Sequence, residues 1–461
     1  MSLSENQVAK ILETALSSGG DFAELFIENK DELQIKYEDE SVKRLTTTRI
    51  KGAGIYLLSG TRSVYVYTND LSLDKIMNTA KLAAELLNQK NSVFNRNILF
   101  EYRKSNNPNK FIIYPSSVEH KDKINILREI SLAAKSVDSR IVQMAVTYFD
   151  TDQNISIYNS EGLFTWDRRI SSRVRLNATI SDGANYYDDW DDFTRPQGFE
   201  AFNNKSDYIT FAKEFIKGLA SSTEGISLQS CNVPVVFEAG ACGTFWHETC
   251  GHQLEASAIA SNNSDFVGMI GKKVASDKVT LIDDGSIPGL YGTSGIDDEG
   301  HPTQKNILIE NGILKGYLVD RLGGRLLNMS STGNGRRQSY SYAPTSRMTN
   351  TYLAAGNDDE NEMIKSIDKG VFVKRLGGGT GGREFSLAVK EGYLIEKGEI
   401  TKRLKGLTLN GRGIDLIKRV DRVGKKLENE GGSFCGASSG LCPVTSFQPR
   451  MRISNMFVGG K

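Results

Sequence analysis

Two of the four histidines in this chain lie close together, in the segment FWHETCGHQLE at residues 245–255. Glu248 directly follows His247, and His252 lies five positions after His247. Two imidazoles and a carboxylate are the parts of a hydrolytic zinc site, in which three protein ligands leave the fourth position to a water that the metal acidifies. The segment therefore predicts that His247 and His252 bind zinc and that Glu248 is a general base in catalysis.

A regular α-helix cannot present these two histidines to one metal ion. Each residue turns by about 100°, so positions five apart differ by about 140°, whereas positions four apart differ by about 40°. A π-type bulge aligns residues five apart, and Gly251 offers an alternative because it allows the helix to bend or unwind before His252. We therefore predict a locally irregular helix around residues 249–251. The competing interpretation is structural, with one histidine packed in the core or paired with Glu248 at the surface.

Spacing alone does not determine the third metal ligand. Glu255 lies three residues after His252 and leans to the same side of a helix, whereas Cys250 is constrained within the same turn. Cys435, Cys442 and several acidic residues are further candidates. The choice stays open at this level.

The composition limits the classes of function. The 461 residues, 39% hydrophobic and 25% charged, suffice for two or three domains. A formal net charge of +1 lacks the basic excess of a nucleic-acid binder, which favours small molecules or peptides as substrates.

Charged residues interrupt the N-terminal stretch where a signal peptide needs an apolar run, and no segment has the roughly 18 apolar residues of a membrane helix. Five cysteines, an odd number, favour reduced thiols, so the sequence predicts a cytoplasmic protein with no membrane or nucleic-acid partner.

The elements that must position the motif differ between the two halves of the chain. In the first half, apolar stripes predict four amphipathic helices, beginning near Val8, Ile76, Ile124 and Tyr208. Alternating residues predict strands at 31–39, on both sides of residues 59–60, and through an antiparallel meander at 141–181. The first half is therefore a set of helices packed on an antiparallel sheet.

The second half is Gly-rich, and its short strand-like runs predict mostly β structure. Its one convincing helix follows the apolar run VPVVFEAG and carries the motif. We predict an α+β protein with an N-terminal α/β domain at 1–228 and a C-terminal domain at 229–461 that carries one metal-binding helix; the family resemblance described next implies that this second domain is a metallopeptidase domain. The Asn-rich stretch near 91–110, which contains Pro108, is a candidate subdivision of the first domain.

Five segments between positions 247 and 460 resemble, in order, landmarks of the TldD/PmbA family of zinc metallopeptidases. They read HETCGHQLE, DDEGHPTQKNILIENGILKGYLVDR, RMTNTYL, EGYLIEKGEI and FCGASSG…SFQPRMRISNMFVGG. The N-terminal helix and hairpins are compatible, so the resemblance covers essentially the whole chain. The HExxxH motif is similar to that of the catalytic, TldD-type members, and the PmbA-type (TldE) partners lack it.

The resemblance implies that the third zinc ligand is a cysteine in a Cys-Gly pair near the C-terminus, which corresponds to Cys435. Cys442 is kept as a fallback ligand, although a small buried apolar residue is the favoured interpretation of it. The resemblance also implies a zinc peptidase with an enclosed chamber that acts on short or unfolded peptides, including leader segments of modified peptides. It further implies a hetero-oligomer with a TldE/PmbA-like subunit, or a homodimer.

Several other patterns are given less weight. The glycines at 377–382 have the GxGxxG spacing, but a strand follows them, so no helix N-terminus is available for a dinucleotide phosphate. The acidic run at residues 188–192 predicts a solvated loop, and the acidic residues near 283 and 297 predict turns. Arg336, Arg337 and Arg347 are candidates to hold a substrate carboxylate or an oxyanion, with structural ion pairing as the equal alternative.

The rival function is a non-catalytic binding subunit or modulator of another protein. A scaffold has no need of a base beside a metal ligand, so the sequence of His247, Glu248 and His252 favours the enzyme.

Overall fold

The computed structural model describes residues 3–88, 98–429 and 432–460. Within these residues, one seven-stranded sheet comes from the first half of the chain and one twelve-stranded sheet from the second half. Helices pack on the first sheet, and the second half is mostly β. The predicted α+β class is confirmed.

The first sheet has the strand order β3-β2-β1-β5-β6-β4, and β7 also pairs with β6. Its strands are β1 (Phe22–Glu38), β2 (Ser41–Ser59), β3 (Arg62–Thr68), β4 (Glu101–Tyr102), β5 (Ile141–Asn159), β6 (Leu163–Ser181) and β7 (Tyr186–Arg195). All pairs are antiparallel except β4 with β6. Because β1, β2, β5 and β6 have 17 to 19 residues, the sheet is long enough to reach the second half of the chain.

Four helices bury their apolar stripes against this sheet, as predicted. They are α1 (Glu5–Leu16), α2 (Leu73–Leu87), α3 (His120–Lys135) and α4 (Lys205–Ser221). The first begins with a capping box between Ser4 and Gln7. The first two helices share one apolar core with β1 and β2, and the last two share another with β5 and β6. Residues 89–97 of the predicted Asn-rich connection lie outside the described residues, and its remainder contains only the short β4.

The second sheet has the order β11-β10-β9-β14-β21-β18-β16-β15-β8, with further strands paired to β16 and β21. Its strands, together with the separate pair β12–β13, are β8 (Cys231–Phe237), β9 (Leu281–Asp284), β10 (Lys305–Glu310), β11 (Ile313–Leu314), β12 (Gly335–Arg336), β13 (Thr345–Ser346), β14 (Asn350–Leu353), β15 (Lys369–Thr380), β16 (Glu384–Glu396), β17 (Glu399–Leu404), β18 (Thr408–Arg412), β19 (Val420–Glu428), β20 (Ser433–Ala437) and β21 (Gly440–Gly459). The long β21 joins most of this half, because it contacts β8, β14, β18, β19 and β20.

The second half holds more helices than the single one expected from its sequence. They are α5 (Thr244–Trp246), α6 (Ala256–Ala260), α7 (Arg321–Leu327), α8 (Glu360–Lys365) and α9 (Gly413–Leu416). Each has seven residues or fewer, too few for an apolar repeat to be recognised in the sequence. Phe245 and Trp246 of α5 are fully buried in the largest apolar core, so the helix that opens the motif is firmly anchored. None of the described helices has the length and apolar content needed to traverse a bilayer.

Candidate metal centre

The backbone around the two histidines is irregular, as their spacing predicts. The short helix α5 passes directly into a π-helix, His247–Gly251, and then into a 3₁₀ turn, His252–Leu254. The His252 amide donates to the His247 carbonyl, which is the i to i+5 bond of a π-helix. The two imidazole centroids are consequently 4.9 Å apart, with their ring planes at 88°.

Gly251 is important in this turn because it has no side chain, whereas its backbone torsion angles are ordinary. Its φ of −54° is ordinary for a helix, so the alternative of a glycine-specific bend does not apply. A Cβ built at this position would overlap Sδ of the fully buried Met348. Met348 therefore packs directly against the backbone of the π-helix.

Cys435 lies beside the two histidines. Its Sγ atom is 3.4 Å from Nε2 of His252. One ligand atom from each of His247, His252 and Cys435 falls within 4.8 Å of the others. Among the described residues, this is the one group of three or more histidine, cysteine or acidic side chains with that property.

The other candidate ligands have different surroundings. Cys250 is buried in the apolar core beside the Thr249 hydroxyl. Cys442 lies opposite Cys435 in the β20–β21 hairpin and is also buried. Glu255 approaches the far side of the His252 ring, where its Oε1 is 3.3 Å from Nδ1. These three side chains stand outside the group that surrounds the candidate metal position.

The charges around this position favour a cation. Burial disfavours a thiolate, but the charge of His247 and hydrogen bonds from both imidazoles outweigh it and lower the pKa of the Cys435 thiol to about 4. Burial also opposes an imidazolium, but the contacts with Cys435 and Glu255 raise the pKa of His252 to about 11. The site thus stabilises a thiolate with a positive charge beside it, and a metal cation can replace that proton.

The donor set fits zinc. Two imidazoles and one thiolate are a known three-ligand set for catalytic zinc, and thiolate disfavours harder ions such as magnesium or calcium. Ordinary Zn–S and Zn–N bond lengths in a tetrahedron give a separation of about 3.6 Å between sulfur and nitrogen. The 3.4 Å between Cys435 and His252 is close to that value.

Outer contacts orient both imidazoles. Ser446 Oγ lies 3.3 Å from Nδ1 of His247, and Glu255 lies against Nδ1 of His252. Partners of this kind fix the tautomer and the ring orientation of metal-binding histidines. The Ser446 contact has no signal in the sequence, because it spans 199 positions. The Arg347 guanidinium donates to the carbonyls of Cys435 and Gly440, which holds the hairpin against the site.

Glu248 faces the same space without joining the ligand group. Its Oε2 is 4.0 Å from Nε2 of His252, and its side chain is 14% exposed. Burial raises the pKa of Glu248, and the neighbouring His247 and His252 partly offset that effect. Gly381 packs on it so closely that a Cβ there would lie 2.5 Å from Glu248 Oε2.

A cleft of about 620 Å³ opens onto this centre. The glycines at 377–381, at the end of β15 and just beyond it, form one wall with Glu248, and Trp190 of β7 contributes to another. The strand β16 follows these glycines, so the expected absence of a phosphate-binding helix is confirmed.

The prediction of a solvated loop at residues 188–192 is wrong. These residues belong to β7, where Asp189 pairs with Lys390 at 2.7 Å and Asp191 with Arg375 at 2.8 Å. The partners lie almost 200 positions later in the sequence, which is why local composition suggested a loop. The acidic strand therefore joins the first sheet to the wall of the cleft.

Family models match most of the chain in three consecutive regions. Residues 23–87 match domain 1 of the PmbA/TldA metallopeptidases, residues 113–222 match the central domain, and residues 230–460 match the C-terminal domain. The candidate ligands and Glu248 all lie within the third region.

Individual proteins resemble the chain over nearly its full length. A protein of Buchnera aphidicola named metalloprotease TldD homolog is 30% identical, with 99% of this chain and 96% of that protein covered. The crystal structure of TldE from Thermococcus kodakarensis has a TM-score of 0.75 at 18% identity, with 99% of each chain covered. A Thermotoga maritima structure described as a proposed modulator of a DNA gyrase has a TM-score of 0.77 at 20% identity, with 99% and 100% covered. At these identities the two structures show a shared fold.

Proposed function

Because the chain belongs to the TldD/PmbA family of metallopeptidases, we propose that it is a zinc-dependent peptidase that hydrolyses short or unfolded peptides. The observation that carries the proposal is the close grouping of the ligand atoms of His247, His252 and Cys435. Glu248 stands at the edge of this group, 4.0 Å from His252, which suits a base and not a ligand.

His247, His252 and Cys435 are the residues that hold the metal in this proposal. When bound in such a site, zinc polarises a carbonyl group and lowers the pKa of a water molecule. The protein contributes the thiolate and two imidazoles whose Nδ1 atoms already have partners, Ser446 and Glu255. These contacts keep the donor atoms in place before the metal arrives.

Glu248 is the proposed general base and acid. Its carboxylate takes a proton from the attacking water and then delivers it to the leaving amine. Partial burial raises the pKa of Glu248, which makes its carboxylate a better proton acceptor. The close packing of Gly381 limits the positions that its Oε2 atom can adopt.

The cleft supports an extended peptide as the substrate. Four of the five residues at 377–381 are glycines, with Thr380 as the exception, so a peptide backbone can approach the catalytic residues closely. Pairing with a TldE/PmbA-like subunit, or with a second copy of the chain, is part of the proposal, and the shared fold with TldE supports it. A cytoplasmic location is proposed from the five cysteines, all of which are unpaired.

The Glu248→Gln variant tests catalysis separately from metal binding. We expect it to keep zinc and the affinity for peptides but to lose a factor on the order of 10²–10⁴ in turnover, because the amide cannot accept a proton. Zinc content and cleavage of unstructured peptides should be measured on the same sample, alone and with a co-expressed TldE-like subunit. Glu399→Gln, at an exposed position on β17, is the matched control.

Undiminished cleavage by Glu248→Gln would exclude Glu248 as the base. If wild-type protein binds zinc but cleaves no peptide under either condition, the chain is instead a binding subunit or modulator. Loss of zinc from the variant would mean that Glu248 is a ligand.

A further inference from the structure

A second cavity, of about 240 Å³, lies beside the catalytic cleft. We call it the arginine pocket and define it by Lys30, Arg336, Phe434, Leu441 and Pro443. Residues of the first sheet and of the second half of the chain line it together. Phe434 precedes Cys435 in the chain and lines both the pocket and the cleft. The two cavities are therefore adjacent at Phe434.

The walls of the pocket combine positive charge with apolar surface. Four cationic side chains line it, but only two carboxylates do, those of Glu32 and Asp298. Asp298 is already paired with Arg169 at 2.6 Å, and Glu32 with Lys30 at 3.0 Å. The hairpin supplies the apolar surface, because Phe434 is 42% exposed and Leu441 is 52% exposed.

Two of the three arginines that the sequence offered as anion ligands are committed to the fold. Arg337 donates to Glu24 at 2.6 Å and to the Asp298 carbonyl at 2.8 Å. Arg347 donates to the carbonyls of the β20–β21 hairpin. These guanidinium groups are structural, so neither can bind a substrate without breaking the contacts described above.

Arg336 differs from both. Arg336 is buried, but its guanidinium makes only one hydrogen bond within the described residues. This bond runs from Nη1 to the Met348 carbonyl, at 2.6 Å. Arg337 pairs with Glu24 and Arg347 lies within 4.0 Å of Glu255, but among the described residues Arg336 has no such carboxylate partner. Its Nε and Nη2 atoms have no hydrogen-bond partner among the described residues and keep some access to solvent, and Arg336 lines the pocket.

Arg403 shows how a buried arginine is satisfied without a carboxylate in this same fold. Its nitrogens donate to the Ser221 hydroxyl and to three backbone carbonyls. The guanidinium of Arg336 makes only one such bond among the described residues, so most of its donors are left without a protein partner. A buried charge with so few partners is unfavourable unless an anion completes its contacts.

We propose that the arginine pocket binds a carboxylate of the peptide substrate at Arg336, with the adjoining apolar side chain against Phe434 and Leu441. A guanidinium group matches a carboxylate through two parallel hydrogen bonds, and its Nε and Nη2 atoms present such a fork. This inference rests on the proposed peptidase function, because the pocket shares Phe434 with the cleft that contains Glu248 and Cys435. The carboxylate is either the C-terminus of the peptide or an Asp or Glu side chain.

The test measures peptide binding to the zinc-loaded full-length protein carrying Glu248→Gln, so that the ligand is not cleaved. Calorimetry compares one unstructured peptide that has a free C-terminus and an apolar last residue with its C-terminal amide. Two further amidated peptides carry Glu or Gln at an internal position. We expect a carboxylate to strengthen binding by about 10-fold or more, in line with hydrogen bonds to charged groups.

Substitution of Arg336 should remove this preference. With Arg336→Gln added, we expect the acid and the amide to bind equally, while Arg336→Lys restores part of the difference because it keeps the charge without the fork. Zinc content should stay at the level of the parent protein, and the peptides that lack a carboxylate should lose much less affinity than those that carry one. Thermal unfolding checks that each variant folds.

A second variant tests the pocket without touching Arg336. Leu441→Glu places a carboxylate on the exposed rim of the pocket, where it can form an ion pair with the Arg336 guanidinium. The preference for peptides with a carboxylate should then disappear. Leu441→Gln is the matched control. It removes the same apolar contact and so weakens the binding of acid and amide alike, but it should keep the preference for the acid.

Equal affinity of acids and amides in the Glu248→Gln protein would overturn the proposal. A preference only for the free C-terminus, or only for the internal Glu, supports it and identifies the source of the carboxylate. The two proposals can fail separately. If the wild type cleaves peptides but no carboxylate preference is measured, the proposal for the pocket is wrong. If the preference is measured but the wild type cleaves no peptide, the proposed peptidase function is wrong.

Discussion

Cys435 and Cys442 face one another across the β20–β21 hairpin, but their surroundings act on the two thiols in opposite directions. The pKa of Cys442 is raised by burial, whereas the two imidazoles lower that of Cys435. We expect Cys435→Ser to lose most of its zinc and Cys442→Ser to keep it, because a thiolate is the metal-binding form. Metal analysis of the purified proteins measures this directly. Equal zinc in the wild type and Cys435→Ser would remove Cys435 from the site.

Glu255 is expected to act through His252. Its Oε1 atom is enclosed and lies 3.3 Å from His252 Nδ1, a charge contact more than an aligned hydrogen bond. Loss of such a partner typically weakens metal binding by about 10- to 100-fold. We therefore expect Glu255→Gln to bind zinc more weakly in competition with a chelator, whereas Glu248→Gln retains the wild-type affinity. Unchanged affinity in Glu255→Gln would show that the contact is incidental.

The residues of the candidate site could be predicted from the sequence to different degrees. His247, Glu248 and His252 are close in the chain, so their types and spacing were informative. Cys435 contacts His252 across 183 positions, and no local pattern encodes such a contact. Its selection depended on the family resemblance. The spacing of Glu255 from His252 already placed the two on one side of a helix, whereas the contact of Ser446 became visible only in three dimensions.

At the level of elements, the π-helix depends on tight packing by Met348. A methyl group at Gly251 would overlap Met348 Sδ, so we expect Gly251→Ala to lower the free energy of unfolding by about 1–3 kcal/mol and to weaken zinc binding. Met348→Ala, added to Gly251→Ala, should recover part of the zinc affinity by removing the overlap. Denaturant titration and chelator competition provide the two readouts.

The control for this substitution is Gly316→Ala, since a Cβ at Gly316 meets no atom within 4 Å. If Gly251→Ala behaves like Gly316→Ala, the site can absorb the extra volume, and the packing argument is wrong.

The elements themselves were predictable where they were long. The helices α1 to α4 have 12 to 17 residues, enough for an apolar stripe to recur several times. The sequence of β7 predicts a loop because it is rich in aspartate. The cations that neutralise these charges, Arg375 and Lys390, lie in another part of the chain, so the local sequence does not show them. The π-helix could be inferred from the sequence only because the proposed metal site requires His247 and His252 to lie close together.

Across the whole molecule, buried charges connect the two halves. Arg337 pairs with Glu24 of β1 at 2.6 Å, and both side chains are inaccessible to solvent. Arg169 of β6 pairs with Asp298 at 2.6 Å. Both arginines donate to the segment that precedes β10. The pairs fix the first sheet against the second half, which is what shapes the arginine pocket between them.

Asp320 belongs to a buried group of carboxylates at this junction and gives it a pH dependence. Burial raises the pKa of Asp320 to about 6, and the neighbouring Asp297 contributes in the same direction. Burial likewise raises the pKa of Glu299, where Asp320 adds to the effect. An acid whose folded pKa exceeds its unfolded value binds more protons in the folded state, so the free energy of unfolding falls as the pH rises from about 4 to about 6.

We therefore expect Asp320→Asn to be more stable than the wild type at pH 7.5, by up to about 3 kcal/mol, and to differ little from it near pH 4. Asp320 caps α7 by accepting from the Gly323 amide, and asparagine can make the same bond. Denaturant unfolding of both proteins from pH 4 to pH 7.5, at a fixed zinc concentration, measures the difference. Because both proteins lose zinc alike at low pH, the metal cancels in that comparison. Parallel stability curves for the two proteins would show that Asp320 is already ionised in the folded state at pH 4, contrary to the effect expected from its burial.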